Sequence, residues 1–261
     1  MNLTFYKYHG TGNDFIIIDN REGDPLHFSE EQIKHFCHRR FGIGADGFLL
    51  MVKKAGYDFE MIYYNADGKP GSMCGNGGRC MIQFAFDRGI HHYTYKFMAS
   101  DGPHEGEIDH NGIVRLKMQD VMKVEEHNNY AVLDTGSPHF VKFVNDLEDV
   151  DVVSTGRDIR NSEQFRKKGV NVNFVQNIED DQIFVRTYER GVEDETYSCG
   201  TGVTASALLA AHNQRGFNRV SVKTIGGMLS VEFNKNDDNT FEDIWLCGTV
   251  NYVFKGEIVI N

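Results

Sequence analysis

The sequence predicts a strand-rich α/β fold built as two copies of one plan, each copy a short buried helix wrapped by strands. Three observations predict it: an internal repeat of nearly constant spacing, short apolar stretches typical of strands, and two apolar segments that each follow a Cys-Gly-x-Gly motif. The chain has 261 residues, of which 40% are hydrophobic and 25% charged. That is enough for a packed core in one large domain or in two of ordinary size.

The repeat consists of four pairs of matching segments that keep one order, with offsets of 124 to 127 residues. The pairs are Thr-Gly at 11–12 and 135–136, Cys-Gly-x-Gly at 74–77 and 199–202, Arg-Gly at 88–89 and 215–216, and the glycines at 102 and 227. Gly-rich turns that recur by chance would not keep both order and spacing. We therefore infer a duplication followed by divergence.

The remaining patterns place individual elements. A capping box from Ser29 to Gln32 predicts the start of a first helix, and Gly42 predicts its end. Its inner face would carry Ile33, Phe36, Cys37 and Arg40. Strands are predicted at 59–64, 114–118, 183–188 and 220–223. The segments 81–86 and 203–211 are too apolar for one-sided burial, so they are predicted to be helices covered on most sides.

The charge balance argues against two classes of partner. With 27 Lys and Arg against 38 Asp and Glu, the net charge is −11, and the basic residues form no cluster. An acidic surface repels phosphate backbones and anionic lipid, so we expect no nucleic-acid partner and no membrane partner. The chain also lacks a signal-peptide core and any apolar run of membrane-spanning length, which predicts a cytoplasmic protein.

Cysteine placement carries the candidate chemistry. The five cysteines are few, odd in number and not spaced as zinc ligands, so neither a disulfide scaffold nor a metal site is expected. Cys74 and Cys199 each directly precede a predicted helix, whose N-terminal N–H groups favour a thiolate and can bind a carboxylate. The other three, Cys37, Cys80 and Cys247, lie in apolar segments and are predicted to be core residues.

Two thiols at equivalent positions of a duplicated chain suit the inversion of a carbon centre. One removes a proton from one face, and the other returns a proton to the opposite face. The chain has no dinucleotide fingerprint and nothing that indicates a pyridoxal or flavin site, so no cofactor is expected. The residues alone leave two alternatives open: a pair of buried structural thiols, or a thiol-redox or anion-binding protein.

Five segments resemble the diaminopimelate epimerase family in residues and in order: YHGTGNDF at 8–15, GIGADG at 42–47, YNADG at 64–68, CGNGGRC at 74–80 and YERG at 188–191. The resemblance implies a cofactor-independent isomerase that interconverts LL- and meso-diaminopimelate in lysine and peptidoglycan precursor synthesis. It also implies two pseudo-symmetric domains, 1–118 plus 251–261 and 119–250, with the active site in the interdomain cleft. The small-molecule amino-acid substrate and a homodimer are the implied partners.

The resemblance also implies a role for each matching residue. Cys74 and Cys199 would be the catalytic acid/base pair. Backbone N–H groups of Gly75, Asn76, Gly200 and Thr201 would bind the α-carboxylate. Glu189 would orient the substrate ammonium and influence the thiols, and Arg190 would bind the distal carboxylate. Asn13, Asn65 and Asn171 would contact the substrate, and His139 would modulate the thiol pKa.

Three positions depart from the family pattern. Gly47 stands where some members have Gln, and Ser137 stands where members commonly have Asn. The loop that starts at Glu189 is one residue longer than the family's and lacks its second Gly. These changes leave the two thiols in place but affect the substrate shell. A racemase or epimerase of another amino acid, such as proline, hydroxyproline or histidine, therefore stays open as an alternative.

Overall fold

The computed structural model of the protein describes residues 2–259. Contacts between Cα atoms divide the chain into two compact units. Unit 1 contains the residues up to Leu116 together with those from Thr249 onward, and unit 2 is Lys117–Gly248. The domain boundaries predicted at 118 and 251 stay a prediction. Within the described range, no helix has both the length and the apolar character needed to cross a membrane.

Seventeen strands and four helices are described between residues 2 and 259. In chain order they are β1 Asn2–Gly10, β2 Asn13–Asn20, α1 Glu30–Cys37, β3 Gly47–Val52, β4 Phe59–Asn65, α2 Gly75–Asp87, β5 Thr94–Ala99, β6 Gly102–Ile108, β7 Val114–Lys117, β8 Val124–Glu126, β9 Ala131–Asp134, β10 Pro138–Phe143, α3 Val152–Asn161, β11 Asn171–Glu179, β12 Gln182–Glu189, β13 Asp194–Thr196, α4 Gly200–Leu209, β14 Gly216–Thr224, β15 Gly227–Lys235, β16 Phe241–Gly248 and β17 Asn251–Val259. The prediction of a strand-rich α/β fold is confirmed.

The two units repeat one strand topology. In unit 1, β1 pairs with β2 antiparallel, β2 with β3 parallel, β3 with β4 antiparallel, β4 with β5 parallel and β5 with β6 antiparallel. In unit 2, β9 to β12, β14 and β15 follow each other in the same alternation. Helices α1 and α3 occupy one equivalent connection, and α2 and α4 occupy the other. Two units with one order of strands and helices are what a duplication produces.

The helices that follow the two Cys-Gly motifs are each surrounded by strands of their own unit. Helix α2 packs against β1, β2 and β6, and α4 packs against every strand from β10 to β16 except β13. In α4 the side chains of Val203, Ala205, Ala207 and Leu208 are fully buried, although these residues lie on different faces of the helix. The prediction of buried helices at both places is confirmed.

The first helix is shorter than predicted. Ser29 is its N-cap and forms a capping box with Gln32, as the sequence indicates. The helix ends at Cys37 because His38 adopts an extended conformation, and the His38 Nδ1 atom accepts from the backbone N–H groups of Arg40 and Phe41. The prediction that Arg40 lies on this helix is therefore wrong.

The three cysteines predicted to be core residues are buried. Cys37 ends α1, Cys80 lies within α2 and Cys247 lies within β16. Burial raises the pKa of the Cys37 thiol to about 12 and also raises the pKa of the Cys80 thiol. Both thiols are therefore held in the neutral form, which is unreactive. Of the segment 251–261 that the resemblance adds to the first domain, Asn251–Val259 forms β17, and the last two positions lie outside the described residues.

Candidate active site

Cys74 and Cys199 are the N-cap residues of α2 and α4, with nearly the same backbone conformation. Their φ and ψ angles are −111° and 122° for Cys74 and −109° and 110° for Cys199. In each case the cysteine carbonyl accepts the first helical hydrogen bond, at 2.8 Å from the N atom of Gly78 or Val203. Each cysteine thus lies at the positive end of a helix dipole, and neither side chain makes a capping hydrogen bond to its own helix.

In unit 1 the Cys74 thiol lies against the side chain of Asn13. Its Sγ atom is 3.6 Å from Oδ1 of Asn13, which also accepts a 3.3 Å hydrogen bond from Nδ2 of Asn76. The fully buried Arg79 donates from Nη2 to Oδ1 of Asn76 at 2.9 Å and from Nη1 to the Gly75 carbonyl at 3.3 Å. Four predicted site residues (Asn13, Cys74, Gly75 and Asn76) are thus brought together around the start of α2.

A cluster of four charged side chains adjoins Asn13, and we call it the ionic cluster: Lys7, Asp14, Arg39 and Asp46. Lys7 forms an ion pair with Asp14 at 2.8 Å and donates to the Gly44 carbonyl. Arg39 spans both carboxylates, at 2.7 Å from Asp14 Oδ1 and 2.7 Å from Asp46 Oδ1. Burial opposes ionisation of Asp14, but hydrogen bonds from Arg39 and Lys7 outweigh it and hold its pKa well below the usual range.

In unit 2 the Cys199 thiol has a different neighbour. Its Sγ atom is 3.5 Å from the hydroxyl of Thr201, a residue of the same helix start. Thr135 donates to the Thr201 carbonyl at 2.8 Å and so fixes the first turn of α4. The hydroxyl beside Cys199 belongs to its own helix, whereas the amide beside Cys74 comes from β2 and is linked to charged side chains.

Asn171 and Arg190 meet at one polar site with Ser137. The Oδ1 atom of Asn171 accepts from the Arg190 backbone N–H at 2.8 Å, and its Nδ2 atom donates to the Ser137 hydroxyl at 3.0 Å. The Arg190 guanidinium donates to the same hydroxyl at 3.2 Å and to the Lys168 carbonyl at 2.9 Å. The guanidinium is exposed and held at two of its donors, a suitable arrangement for binding a carboxylate.

His139 is fully buried beneath the start of α4, next to Asn173. Asn173 donates from Nδ2 to the Phe140 carbonyl and to Nδ1 of His139, each at 3.0 Å, and accepts from Thr187 at 2.9 Å. The imidazole therefore carries its proton on Nε2. Burial first and the charge of Arg190 second lower the pKa of His139 to about 3, so the ring is neutral at physiological pH. Any influence on a thiol comes from a neutral group.

Gly202 allows the start of α4 to pack directly against the side chains of Asn173 and His139. A Cβ atom at Gly202 would be 2.3 Å from Oδ1 of Asn173 and 3.3 Å from Cε1 of His139. The equivalent position in α2 is open, because a Cβ atom at Gly77 would have its nearest neighbours at 3.6 Å. The start of α4 is thus packed more tightly against its neighbouring side chains than the start of α2.

The structure accounts for two of the departures from the family pattern. A Cβ atom at Gly47 would be 2.5 Å from Cε2 of Tyr63, so the tyrosine ring fills the space that a side chain at position 47 needs. The longer loop after Arg190 closes through Glu193, which adopts φ 59° and accepts hydrogen bonds from the Tyr188 hydroxyl and the Gly191 N–H. The loop is therefore ordered by its own carboxylate.

The other predicted residues lie at strand ends. Asn65 is exposed at the end of β4, and Glu189 is half-buried at the end of β12, directly before Arg190. Sequence reasoning missed the ionic cluster, Asn173 and Tyr63. The sequence gives one indication of the ionic cluster: Asp14 and Asp46 lie within two of the segments that resemble the family. Between residues 2 and 259, no three His, Cys, Asp or Glu side chains are placed to hold a metal ion.

Known proteins match this chain over nearly its whole length. The sequence profile described as "Diaminopimelate epimerase" matches residues 5–124 and 131–253. The diaminopimelate epimerase of Flavobacterium psychrophilum is 45% identical over 98% of this chain and 100% of its own length. That of Chlorobaculum tepidum is 42% identical over 96% of this chain and 99% of its own.

Solved structures share the fold at low sequence identity. A Bacillus anthracis phenazine biosynthesis protein of the PhzF family covers 100% of both chains with a TM-score of 0.79 and 13% identity. A hydroxyproline epimerase from Agrobacterium vitis has a TM-score of 0.69 and 14% identity, over 98% of this chain and 92% of its own. The sequence matches span nearly the whole length of chain and relatives, and they confirm the resemblance stated above: this chain belongs to the diaminopimelate epimerase family.

Proposed function

We propose that the protein is an isomerase that interconverts LL- and meso-diaminopimelate by moving the α-proton between Cys74 and Cys199 without a cofactor. Family membership supports the substrate and the reaction class. The observation that carries the mechanism is the equivalent placement of the two thiols, each as the N-cap of a helix at the same point of a duplicated unit.

Each turnover uses one thiolate to remove a proton and one thiol to return a proton. The thiolate takes the α-proton, and the electron pair of the broken C–H bond is delocalised into the α-carboxylate. The opposite thiol then gives its proton to the α-carbon from the other face, so the two sulfur atoms exchange roles and no electrons leave the substrate. Since the carbon acid is very weak, the developing charge needs stabilisation, which the N–H groups of Gly75, Asn76, Gly200 and Thr201 would supply.

The polar site around Arg190 supports a substrate with a second carboxylate. Its guanidinium is exposed, is held by Ser137 and by the Lys168 carbonyl, and keeps further N–H donors for a ligand. We assign it to the distal carboxylate, together with Asn171, and assign Glu189 to the substrate ammonium. Asn13 and Asn65 would contact the rest of the substrate from unit 1.

Proton NMR of the reduced protein with LL-diaminopimelate in D2O tests the substrate and the reaction together. We expect the α-proton signal to disappear while the meso form appears. Arg190→Ala should lower kcat/KM strongly, whereas Arg219→Ala, which removes an exposed arginine of β14 in the same unit, should leave it unchanged. Exchange with proline or hydroxyproline but not with diaminopimelate would contradict the proposed substrate.

A cytoplasmic homodimer completes the proposal. The large apolar side chains Tyr252, Val253, Phe254 and Val259 of β17 are exposed, and a second copy of the chain would cover them. Sedimentation equilibrium should give a dimer for the unmodified protein and a weaker dimer for Val253→Lys. Ile178→Lys, at an equally exposed apolar position of unit 2, should not change the association. A monomer at all concentrations would contradict this part.

A further inference from the structure

We propose that Asp46 is a positioning residue for the proton transfer: its carboxylate fixes the orientation of the Asn13 amide, and through it the carbonyl oxygen that faces the Cys74 thiol. Asp46 is half-exposed, and none of the roles assigned above includes it. The proposal rests on the proposed function only for the acid/base role of Cys74.

The first step is the orientation of Asn13. Its Nδ2 atom donates to Oδ2 of Asp46 at 3.0 Å. A carboxylate only accepts, so an amide turned by 180° would place its oxygen against the carboxylate and lose this bond. The oxygen of Asn13 is thereby held on the opposite side, where it lies 3.6 Å from the Cys74 sulfur.

The second step is that a buried cation imposes the same direction from the other end. Arg79 has only donors, so the atom of Asn76 that it contacts at 2.9 Å is the oxygen. Asn76 therefore presents its Nδ2 atom to the Asn13 oxygen, at 3.3 Å. The hydrogen bonds run in one direction from Arg79 through Asn76 and Asn13 to Asp46, and neither amide can turn without breaking two of them.

The third step is that the ionic cluster holds Asp46 itself. Its Oδ1 atom accepts from Arg39 at 2.7 Å, and its backbone N–H donates to the Asp14 carbonyl at 2.9 Å. Its Oδ2 atom also accepts from the Asp14 N–H at 3.3 Å, which is the same oxygen that holds Asn13. The carboxylate is thus fixed at both oxygens before it contacts the amide.

The consequence concerns the proton of Cys74. A carbonyl oxygen accepts a hydrogen bond from a thiol but repels a thiolate, whereas an amide NH2 group would do the reverse. The fixed orientation of Asn13 therefore favours the protonated form of Cys74, the form that returns a proton to the α-carbon. The nearby start of α2 acts in the opposite direction, since its N–H groups favour the thiolate. By holding the Asn13 carbonyl towards the sulfur, Asp46 favours the thiol over the thiolate.

The rate of alkylation of Cys74 by iodoacetamide, followed against pH by peptide mass spectrometry on the whole protein, tests this proposal. Asp46→Asn keeps the shape of the side chain but can donate as well as accept, which leaves the Asn13 amide oriented only by its 3.3 Å bond from Asn76. The pH midpoint for Cys74 should therefore fall by about half a unit or more. Glu60→Gln removes another ion-paired carboxylate of unit 1 and should leave that midpoint unchanged. The Cys199 peptide in the same digest should also be unaffected.

A double-variant comparison separates positioning from simple charge. If Asp46 acts through Asn13, Asp46→Asn should add no shift in an Asn13→Ala background. An equal shift in both backgrounds, or no shift in either, would overturn the proposal. Should Asp46→Asn fail to fold, Asp46→Ala removes the acceptor of the Asn13 amide outright and should lower the midpoint in the same direction. Failure of the proposed function would appear separately, as no isotope exchange in the unmodified protein.

Discussion

The helix starts at Cys74 and Cys199 have the same backbone conformation but differ in the side chains that contact the two sulfur atoms. Their φ and ψ angles agree within 2° and 12°. Cys74 faces an amide fixed between a buried arginine and an ionic cluster, whereas Cys199 faces the hydroxyl of Thr201 above a neutral group that includes His139. Duplication kept the geometry that places two thiols, and divergence gave them unequal surroundings. Unequal surroundings suit a pair in which one sulfur is protonated while the other is not.

Removal of either thiol should have the largest effect, and it should be the same for both. Cys74→Ala and Cys199→Ala should each lower the rate of epimerisation by about 10³-fold or more, because every turnover needs both a base and an acid. Cys247→Ala, at a buried strand position, should retain activity. Steady-state assays with reductant present measure all three. A single variant within tenfold of the unmodified protein would show that one thiol suffices.

The glycines at equivalent helix positions should respond in opposite ways. Gly202→Ala forces a Cβ atom to 2.3 Å from Asn173 and should destabilise the protein by about 2 kcal/mol. Gly77→Ala has room and should be neutral or stabilising by up to about 1 kcal/mol, because alanine restricts the unfolded chain. Urea unfolding midpoints distinguish these results. Equal destabilisation by both changes would mean that the two helix starts are packed alike.

Acid should weaken the two units over different pH ranges. His139 has an ordinary pKa of 6.5 and a pKa of about 3 in the fold, so the unfolded chain binds the extra proton between these values. The contribution of neutral His139 to the free energy of unfolding is therefore fully present above about pH 6.5. It is lost as the pH drops towards 3, because the unfolded chain binds one proton more than the folded chain in this range. The lowered pKa of Asp14 has the same sign, but its loss begins only below the ordinary aspartate value of 3.8.

His139→Gln separates these two contributions, since glutamine does not titrate. Unfolding by urea between pH 4 and pH 7 should show a shallower pH dependence in this variant, by about one proton. Asp14 is unchanged in the variant, so the loss below pH 4 should persist. An unaltered slope between pH 4 and 7 would mean that the imidazole is not held neutral.

The smallest effect should come from Ser137. Ser137→Ala removes the hydroxyl that holds Arg190 and Asn171, so KM for diaminopimelate should rise about five- to tenfold with kcat nearly constant. Ser137→Asn, which introduces the residue common in the family, should keep KM closer to that of the unmodified protein. A fall in kcat at constant KM would place Ser137 in the chemical step and not in binding.

The placement of both thiols could be predicted because the evidence is local in sequence. A cysteine, a glycine pair and an apolar run adjoin one another at 74–86 and again at 199–211, so helix and cap are visible in one window. The ionic cluster was not predictable in this way. Lys7 and Asp14 lie on one hairpin, β1 and β2, and they meet Arg39 and Asp46 only because β2 also pairs with β3. Long-range pairing leaves no local pattern.

Two further residues show the same limit. Asn173 is one of three asparagines in β11, and only the structure shows that the neighbouring strands β10 and β12 bring His139 and Thr187 to it. Tyr63 reads as an ordinary strand residue, yet its ring explains why position 47 is glycine. Such roles depend on which side chains meet across a sheet.

The fate of hydrogen isotopes in a partial reaction tests the two-thiol mechanism most directly. LL-diaminopimelate would be incubated with the reduced protein in D2O, stopped early, and separated into substrate and product before mass spectrometry. With two different acid/base groups, the meso product should carry deuterium at the inverted carbon while the recovered LL substrate keeps its proton. Deuterium in the recovered substrate at the rate of product formation, or a product that retains the substrate's own proton, would contradict the account.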